Sequence, residues 1–369
     1  MAEKRVLIVG GGVVGLSVAW ELNRRGWKTT IVDINSFATK ASWAGAGILA
    51  PANFETMTQP LDRLKGYGSS LHEQWARELM QLTGIDNGYR TCGGLYFART
   101  VGEKAALAGQ LDEWQQYGID FDDLDPNSLD QPISQKPLLA IRVPGEGQID
   151  NRSHLQALCR ACEQTGSEMI ANCGPLRFKV NGNRCLNVVC SQRELEFDHL
   201  CVSAGVWSTS VARDFGVKLP VTPVRGQMAL YKLMQKSFDP ILNEGSRYIV
   251  PRDDGHVVVG STTEEVGFDE STTEAGLAQL KRFASDWIAG LDEDALVSTW
   301  AGLRPASHDG FPYMGRLAEF ENVWISTGHF KSGLQMAPAI AEIMADLFQE
   351  SSTKMETEAF AASRLNVQT

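Results

Sequence analysis

What the chain lacks narrows its class before any motif is considered. No stretch of its 369 residues reaches the roughly 18 unbroken apolar residues of a membrane-spanning helix, so no membrane span is expected. Basic charge is in deficit, with 34 Lys plus Arg against 45 Asp plus Glu, and the net charge of −11 repels nucleic acid and anionic membrane. No local basic patch offsets it. Charged residues make up 21% and hydrophobic residues 43%, which argues against a disordered chain or a coiled coil. Internal repeats and low-complexity linkers are missing as well. The seven cysteines (Cys92, Cys159, Cys162, Cys173, Cys185, Cys190 and Cys201) are an odd number in a long chain, which points to a reducing compartment. Cys159 and Cys162 form a C-x-x-C within the helical run 154–166, but no second pair stands at zinc-site spacing. Packing on one helix face is therefore expected, not metal or redox chemistry. The first residues pass directly into a strand with no cleavable apolar segment, so cytoplasm is the expected compartment. At roughly 150 residues per domain, the length suggests two domains or one large one.

What is present begins at residue 6. Residues 6–9 are a short apolar run of the kind buried on both faces of a parallel sheet, and Gly10, Gly11 and Gly12 follow it. Residues 13–25 repeat apolar side chains at helical spacing, Gly26 stops the helix, and residues 29–32 are again strand-like before Asp33. This is a βαβ unit carrying Gly10-x-Gly12-x-x-Gly15. The first glycine permits the turn, the second lets the backbone approach a pyrophosphate, and the third lets helix and strand pack closely, while the helix N-terminus offers free N–H groups. Asp33 stands where a carboxylate accepts hydrogen bonds from ribose hydroxyls. Strand, glycines, helix, strand and acid in that order predict a dinucleotide site, and to this point leave FAD and NAD open.

The next segment favours FAD. A nicotinamide dehydrogenase would continue with regular α/β units, whereas Asp33 leads into FATKASWAGAGILAP, a loop of small residues. Gly45, Gly47 and the alanines between Ala41 and Ala50 let backbone N–H groups approach a flat ring or a phosphate; an ordinary glycine-rich loop is the alternative. A second G-x-G-x-x-G is lacking, which counts against a reductase with separate FAD and NAD(P)H domains.

Further along, residues 199–202 read as a buried strand ending in Ser203-Ala204-Gly205, with a helical stretch over 206–215. Segments 176–180 and 185–190 flank Asn181-Gly182-Asn183, a hairpin signal. Helices are predicted over 69–82 and 102–116 and a strand over 94–99. Residues 221–233, 247–250 and 256–260 read as longer, half-buried strands suited to an antiparallel sheet. The last residues, 351–369, are predicted as a final helix with a frayed tail.

Three segments carry candidate chemistry. Pro305 disfavours helix at Arg304, whose guanidinium can bind a carboxylate bidentately or pair with nearby Asp309. Tyr248 opens YIVPR on a predicted strand, where its hydroxyl can meet the same carboxylate or remain a core tyrosine bonded to backbone. GHFKSGLQMAPAI turns at a glycine and becomes helical from about Ser332. Its N-terminus and Lys331 can stabilise negative charge, unless Lys331 is merely a solvated side chain.

GGGVVG at 10–15, SWAGAGIL at 42–49, VSAGVWS at 202–208, YIVPR at 248–252, WAGLRPASHDGFPYMG at 300–315 and GHFKSG at 328–333 together resemble the FAD-dependent D-amino-acid oxidase superfamily, and within it the glycine oxidases. The resemblance spans nearly the whole chain. It implies an α/β fold: a Rossmann-type FAD-binding domain with a second, substrate-binding domain built on a mixed, largely antiparallel sheet. The FAD-binding part would be discontinuous, over 1–50, 150–215 and 300–365, and the substrate part would comprise 51–149 and 216–299. It also implies that Arg304 in GLRP clamps a substrate carboxylate, with Tyr248 and Lys331 beside it. Cofactor contacts would fall on Gly10, Gly12, Val13, Val14, Gly15, Asp33, Ile34, Ala41, Ser42, Ala46, Gly47, Ile48, Pro175, Ala204 and Gly205, and on His329, Phe330, Lys331, Ser332, Gly333, Leu334 and Gln335. No cysteine stands in GHFKSG, where related sarcosine oxidases attach flavin, so FAD is expected to be non-covalent.

The implied activity is oxidative deamination of a small amino acid (glycine, sarcosine or a small D-amino acid) to a 2-oxo acid, with O2 or another electron acceptor reoxidising the flavin. Thiamine biosynthesis is the implied pathway, and a homo-oligomer is compatible with it. Two departures bear on the substrate: the glycine oxidases carry arginine where Lys331 stands and histidine where this chain has Ser246, which changes the polarity around the substrate. A related flavin dehydrogenase acting on another D-amino acid or a 2-hydroxy acid, a non-catalytic flavin-binding subunit, and an NAD-dependent dehydrogenase are the rival readings.

Overall fold

The computed structural model describes residues 4–127, 136–191, 193–234, 238–288, 291 and 294–367. Two large sheets organise them. The first has six strands in the order Tyr313–Arg316, Val323–Thr327, His199–Val202, Arg5–Val9, Lys28–Val32, Glu168–Ile170. All neighbours run parallel except the edge strand Tyr313–Arg316. Its central strands are apolar throughout because both faces are covered. On one side lie the helices Val13–Arg24, Pro60–Thr83, Asn151–Gln164 and Gly333–Phe348, which share one core. On the other, the cluster around Leu7, Val9 and Val202 packs against the three-stranded sheet of Arg177–Asn181, Arg184–Cys190 and Arg193–Glu196. The hairpin read from Asn181-Gly182-Asn183 is present, with Gly182 at φ 59°.

The second sheet has eight strands in the order Leu296–Ser307, Val221–Lys232, His256–Gly260, Arg247–Pro251, Ile241–Glu244, Gly94–Ala98, Leu139–Val143, Asp122–Leu124. Every pairing is antiparallel except that of Ile241–Glu244 with Gly94–Ala98, so the sheet is mixed and largely antiparallel. Helix Glu274–Trp287 packs on one face through Leu280, Phe283 and Trp287. Helix Val101–Gln116 starts at a capping box between Thr100 and Glu103. Strand Leu296–Ser307 runs through residue 300, so a division between cofactor and substrate parts at that residue falls inside a strand of the second sheet.

Two elements differ from their sequence reading. The helix expected over 69–82 starts at Pro60, because Gly66 and Gly68 break its apolar periodicity yet serve close packing. A Cβ at Gly66 would lie 2.7 Å from the Phe54 nitrogen, and one at Gly68 would overlap the Gln335 carbonyl. The expected terminal helix is two short 3-10 turns, Glu358–Phe360 and Ala362–Val367. The last two residues of the expected tail lie outside the described residues. Cys159 and Cys162 sit on helix Asn151–Gln164, Cys162 fully buried with its thiol on the Leu16 carbonyl, and no cysteine is paired. Among the described residues no helix is long and apolar enough to cross a membrane.

Candidate active site

A cavity of about 660 Å3 runs from the C-terminal ends of the parallel strands to one face of the eight-stranded sheet. Ligands of open α/β sheets bind at such strand ends.

At the strand end, Gly10 has φ 114° and a Cβ there would overlap the Ser203 carbonyl, so only glycine fits the turn. Gly12 caps helix Val13–Arg24, and a Cβ on it would narrow the gap to Ser42 Oγ to 3.3 Å. Gly15 does not line the cavity; its hydrogen faces the Gly10 carbonyl and its role is helix-to-strand packing. Of the helix's first N–H groups, Val13 already donates to Ser42 Oγ at 3.0 Å. The Val14 N–H remains for a ligand, next to the positive end of the helix. Asp33 accepts from the Gly11 N–H through Oδ2 and from the Asn35 N–H through Oδ1, each at 2.8 Å. A carboxylate has about four lone-pair sites, so capacity remains for two hydroxyls. Ile34, Pro175, Ala204 and Gly205 close this end.

The small-residue loop comes next. Ala41–Ala44 is one helical turn, and Ala46, Gly47 and Ile48 border the cavity. Gly47 sits at φ 74° against the Ile149 carbonyl, where a Cβ would overlap. Arg252, the arginine of YIVPR, donates to the Ala46 carbonyl at 2.8 Å, the Ile149 carbonyl at 3.1 Å and Gln148 Oε1 at 2.7 Å. It ties this loop to the second sheet, a role its place in the sequence did not disclose.

The far end is the face of the eight-stranded sheet. Register places Arg304 opposite Val224, Gly302 opposite Gly226, and Met228 opposite Gly260, which in turn faces Tyr248. These side chains share one face because they stand in register on adjoining strands. Arg304 donates to Ser261 Oγ at 2.8 Å and to the Thr262 carbonyl at 3.2 Å, both uncharged. Asp309 pairs with Arg364 instead, at 3.0 Å, which removes it as a partner for Arg304. The guanidinium lies across Gly226, where a Cβ would overlap it. Tyr248 directs its hydroxyl to the Met228 sulfur at 3.6 Å, a weak acceptor.

Lys331 also borders this end, and burial together with Arg304 holds its ammonium below the usual lysine range. Arg304 and Lys331 have no acidic partner among the described residues, and the cavity's acidic lining residues, Asp33 and Asp214, stand at its other end. Phe330 adopts φ 47° after Gly328 at φ 81°, and helix Gly333–Phe348 then begins without a side-chain cap, at the cavity wall. His329 is buried, and burial pushes it down to about 3, so it is neutral. Ser332, Gly333, Leu334 and Gln335 also line the cavity, the Gln335 side-chain amide donating elsewhere, to the Ala50 carbonyl and Ser69 Oγ.

The space that Gly10 and Gly12 leave open, the two uncapped or partly capped helix N-termini and the length of the cavity fit an extended dinucleotide that ends in a flat ring. A nucleotide cradle at one end and an acid-free guanidinium at the other define a flavin-dependent oxidoreductase. The chain belongs to the DAO family of FAD-dependent oxidoreductases, whose model matches residues 5–347. It is 31% identical to a glycine oxidase of Pseudomonas aeruginosa over 94% of both chains. Among solved structures it is similar to the glycine oxidase of Geobacillus kaustophilus, with TM-score 0.90 and 25% identity over 98% of this chain and 99% of that one. An iminodiacetate oxidase from Chelativorans sp. BNC1 follows with TM-score 0.86 and 26% identity, over 97% and 98%.

Gly226, Met228, Asn243 and Ser261 reach the substrate end without having been singled out in the sequence. Gly226 yields a test. In Gly226→Ala the new methyl displaces the end of a flexible side chain and not the backbone, so folding survives while the guanidinium leaves its bed. We expect KM to rise roughly 10- to 100-fold with flavin content unchanged, read by steady-state kinetics and the flavin absorbance of the purified protein.

Proposed function

We propose that this protein oxidises a small amino acid with FAD, and that Arg304 and Tyr248 hold the substrate carboxylate. The observation that carries this reading is the pair of cations, Arg304 and Lys331, facing the cavity without an acidic partner while glycine at 226 leaves room for the guanidinium. Gly10, Gly12, Val14 and Asp33 would hold the nucleotide, and Ala46, Gly47, Ile48 and the N-terminus of helix Gly333–Phe348 would border the flavin. Bound FAD supplies a two-electron acceptor for the hydride from the substrate Cα. The protein's part is to fix the carboxylate so that Cα faces the ring, to exclude water, and to present positive charge where negative charge accumulates on reduction. No carboxylate base stands at the substrate end among the described residues, which suits reaction of the neutral amine. The imino acid released is hydrolysed to a 2-oxo acid and ammonia, with O2 as the electron acceptor and hydrogen peroxide as its product.

An anaerobic panel of glycine, sarcosine, D-alanine and a 2-hydroxy acid, read by bleaching of the flavin band, tests the substrate class. Peroxide yield in air tests the acceptor. Bleaching by at least one amino acid is expected; FAD-loaded protein that none of them bleaches overturns the proposal. Asp33→Ala should weaken FAD retention about 10- to 100-fold without changing KM of the loaded enzyme, since it removes the ribose hydrogen bonds and the acceptor for the Gly11 and Asn35 N–H groups, all at the nucleotide end. Full FAD occupancy after prolonged dialysis would contradict that role.

A further inference from the structure

The substrate end of the cavity is rich in donors. Arg304 and Lys331 only donate, and the Tyr248 hydroxyl has nothing better than a sulfur to donate to. A carboxylate satisfies these groups, but an amino acid also brings N–H bonds that need an acceptor. Asn243 stands directly opposite Tyr248 on the neighbouring antiparallel strand, which puts the two side chains on one face about 5 Å apart. It lines the cavity. One side of its amide is committed: Nδ2 donates at 3.0 Å to Oε2 of Glu146. Glu146 is 1% exposed, and its Oε1 accepts at 2.9 Å from the hydroxyl of Tyr96, which flanks Asn243 on the strand beyond. Gly94 makes room for the carboxyl, since a Cβ there would overlap Oε2. Burial pushes Glu146 up to about 8. Both carboxyl oxygens act as acceptors here, Oε1 from Tyr96 and Oε2 from Asn243. With Nδ2 held in this way, Oδ1 is the amide atom left for the cavity, and no described residue donates to it.

We propose that Asn243 is a specificity-determining residue that accepts a hydrogen bond from the substrate amino group, and that Glu146 is the positioning residue that turns its amide to do so. The inference rests on the amino-acid reading above and deepens it by naming the contact that distinguishes an amine from a carboxylate lacking N–H.

The test uses purified FAD-loaded protein and compares KM for glycine and sarcosine with the Kd of acetate, read from the shift it causes in the flavin spectrum. In Asn243→Leu the KM values rise roughly 10-fold or more while the acetate Kd stays within about twofold. Glu146→Leu shows the same split, and Glu146→Gln, whose Oε1 still accepts from Nδ2, recovers most of the loss. If the stranded Glu146 prevents Asn243→Leu from folding, the double variant with Glu146→Leu removes acid and partner together and is read in the same way. Amine KM values that do not move, or that move in step with the acetate Kd, overturn the inference while wild-type turnover leaves the proposed function standing. A wild-type protein that no amino acid reduces overturns both.

Discussion

Arg304→Ala is expected to lower kcat/KM for the best amino acid about 1,000-fold or more while the protein stays yellow. On the proposed reading the guanidinium, which has no acidic partner among the described residues, binds both oxygens of the substrate carboxylate, and removing one partner of such a desolvated charge pair costs about 2–5 kcal/mol or more. Its present partners, Ser261 and the Thr262 carbonyl, are neutral, so its loss strands no buried carboxylate and leaves the fold largely intact. Arg304→Lys should fall between, keeping the charge but not the planar fork. Unchanged kinetics in Arg304→Ala would remove the carboxylate assignment; loss of FAD along with activity would place Arg304 in cofactor binding instead.

The second large effect is in the pH dependence of thermal stability, with a maximum near pH 6.5. Burial pushes His72 down to about 4 and His154 and His329 to about 3, His154 also through its proximity to His72. In the unfolded chain each takes up a proton near 6.5. Below that pH the unfolded state binds more protons, and each histidine withdraws about 1.4 kcal/mol per pH unit until its folded-state value is reached. Glu146 acts in the opposite sense. Its folded state keeps a proton that the unfolded state releases near 4.5, so its contribution falls as pH rises to about 8. Between pH 4.5 and 6.5 these three histidines, joined by His199, which burial also lowers, outweigh Glu146 and Glu21, which burial raises, and acidification costs about 3 kcal/mol per unit. Between 6.5 and about 8 Glu146 is the main contributor among the described residues, at about 1.4 kcal/mol per unit. Thermal unfolding at pH 5, 6.5 and 8 should give its highest Tm at the middle value, and Glu146→Gln should flatten the alkaline side. A Tm that climbs steadily from pH 5 to 8 would contradict this assignment of buried protons.

Local pattern made the cofactor half of the fold readable. An apolar strand, three glycines, a helix and a carboxylate lie within one short segment, and the physical demand on each residue is local. The GLRP arginine was only half readable, because the residue that takes Asp309 away from it, Arg364, arrives near the end of the chain. Asn243 and Glu146 were not readable at all. Strand Ile241–Glu244 pairs in parallel with Gly94–Ala98, which in turn pairs with Leu139–Val143, and the turn after that last strand carries Glu146; these segments are far apart in sequence, and nothing in LNEGSRYIV marks one asparagine as cavity-facing. The start of helix Pro60–Thr83 was obscured for the opposite reason. Gly66 and Gly68 look like helix breakers locally, and their value lies in contacts with Phe54 and Gln335 that only the assembled protein supplies.

The three strands side by side under the nucleotide, Arg5–Val9, His199–Val202 and Val323–Thr327, come from the beginning, middle and end of the chain. Strand Arg5–Val9 gains one neighbour, Lys28–Val32, almost at once, but its other neighbour, His199–Val202, emerges only after roughly 10–40 s at ordinary elongation rates, and Val323–Thr327 then adds to that strand later still. The lining of the cavity runs from Val9 to Gln335, so its wall is complete only once the start of helix Gly333–Phe348 has been made. Until His199–Val202 arrives, Arg5–Val9 keeps one apolar edge unpaired, and such an edge invites association with other chains.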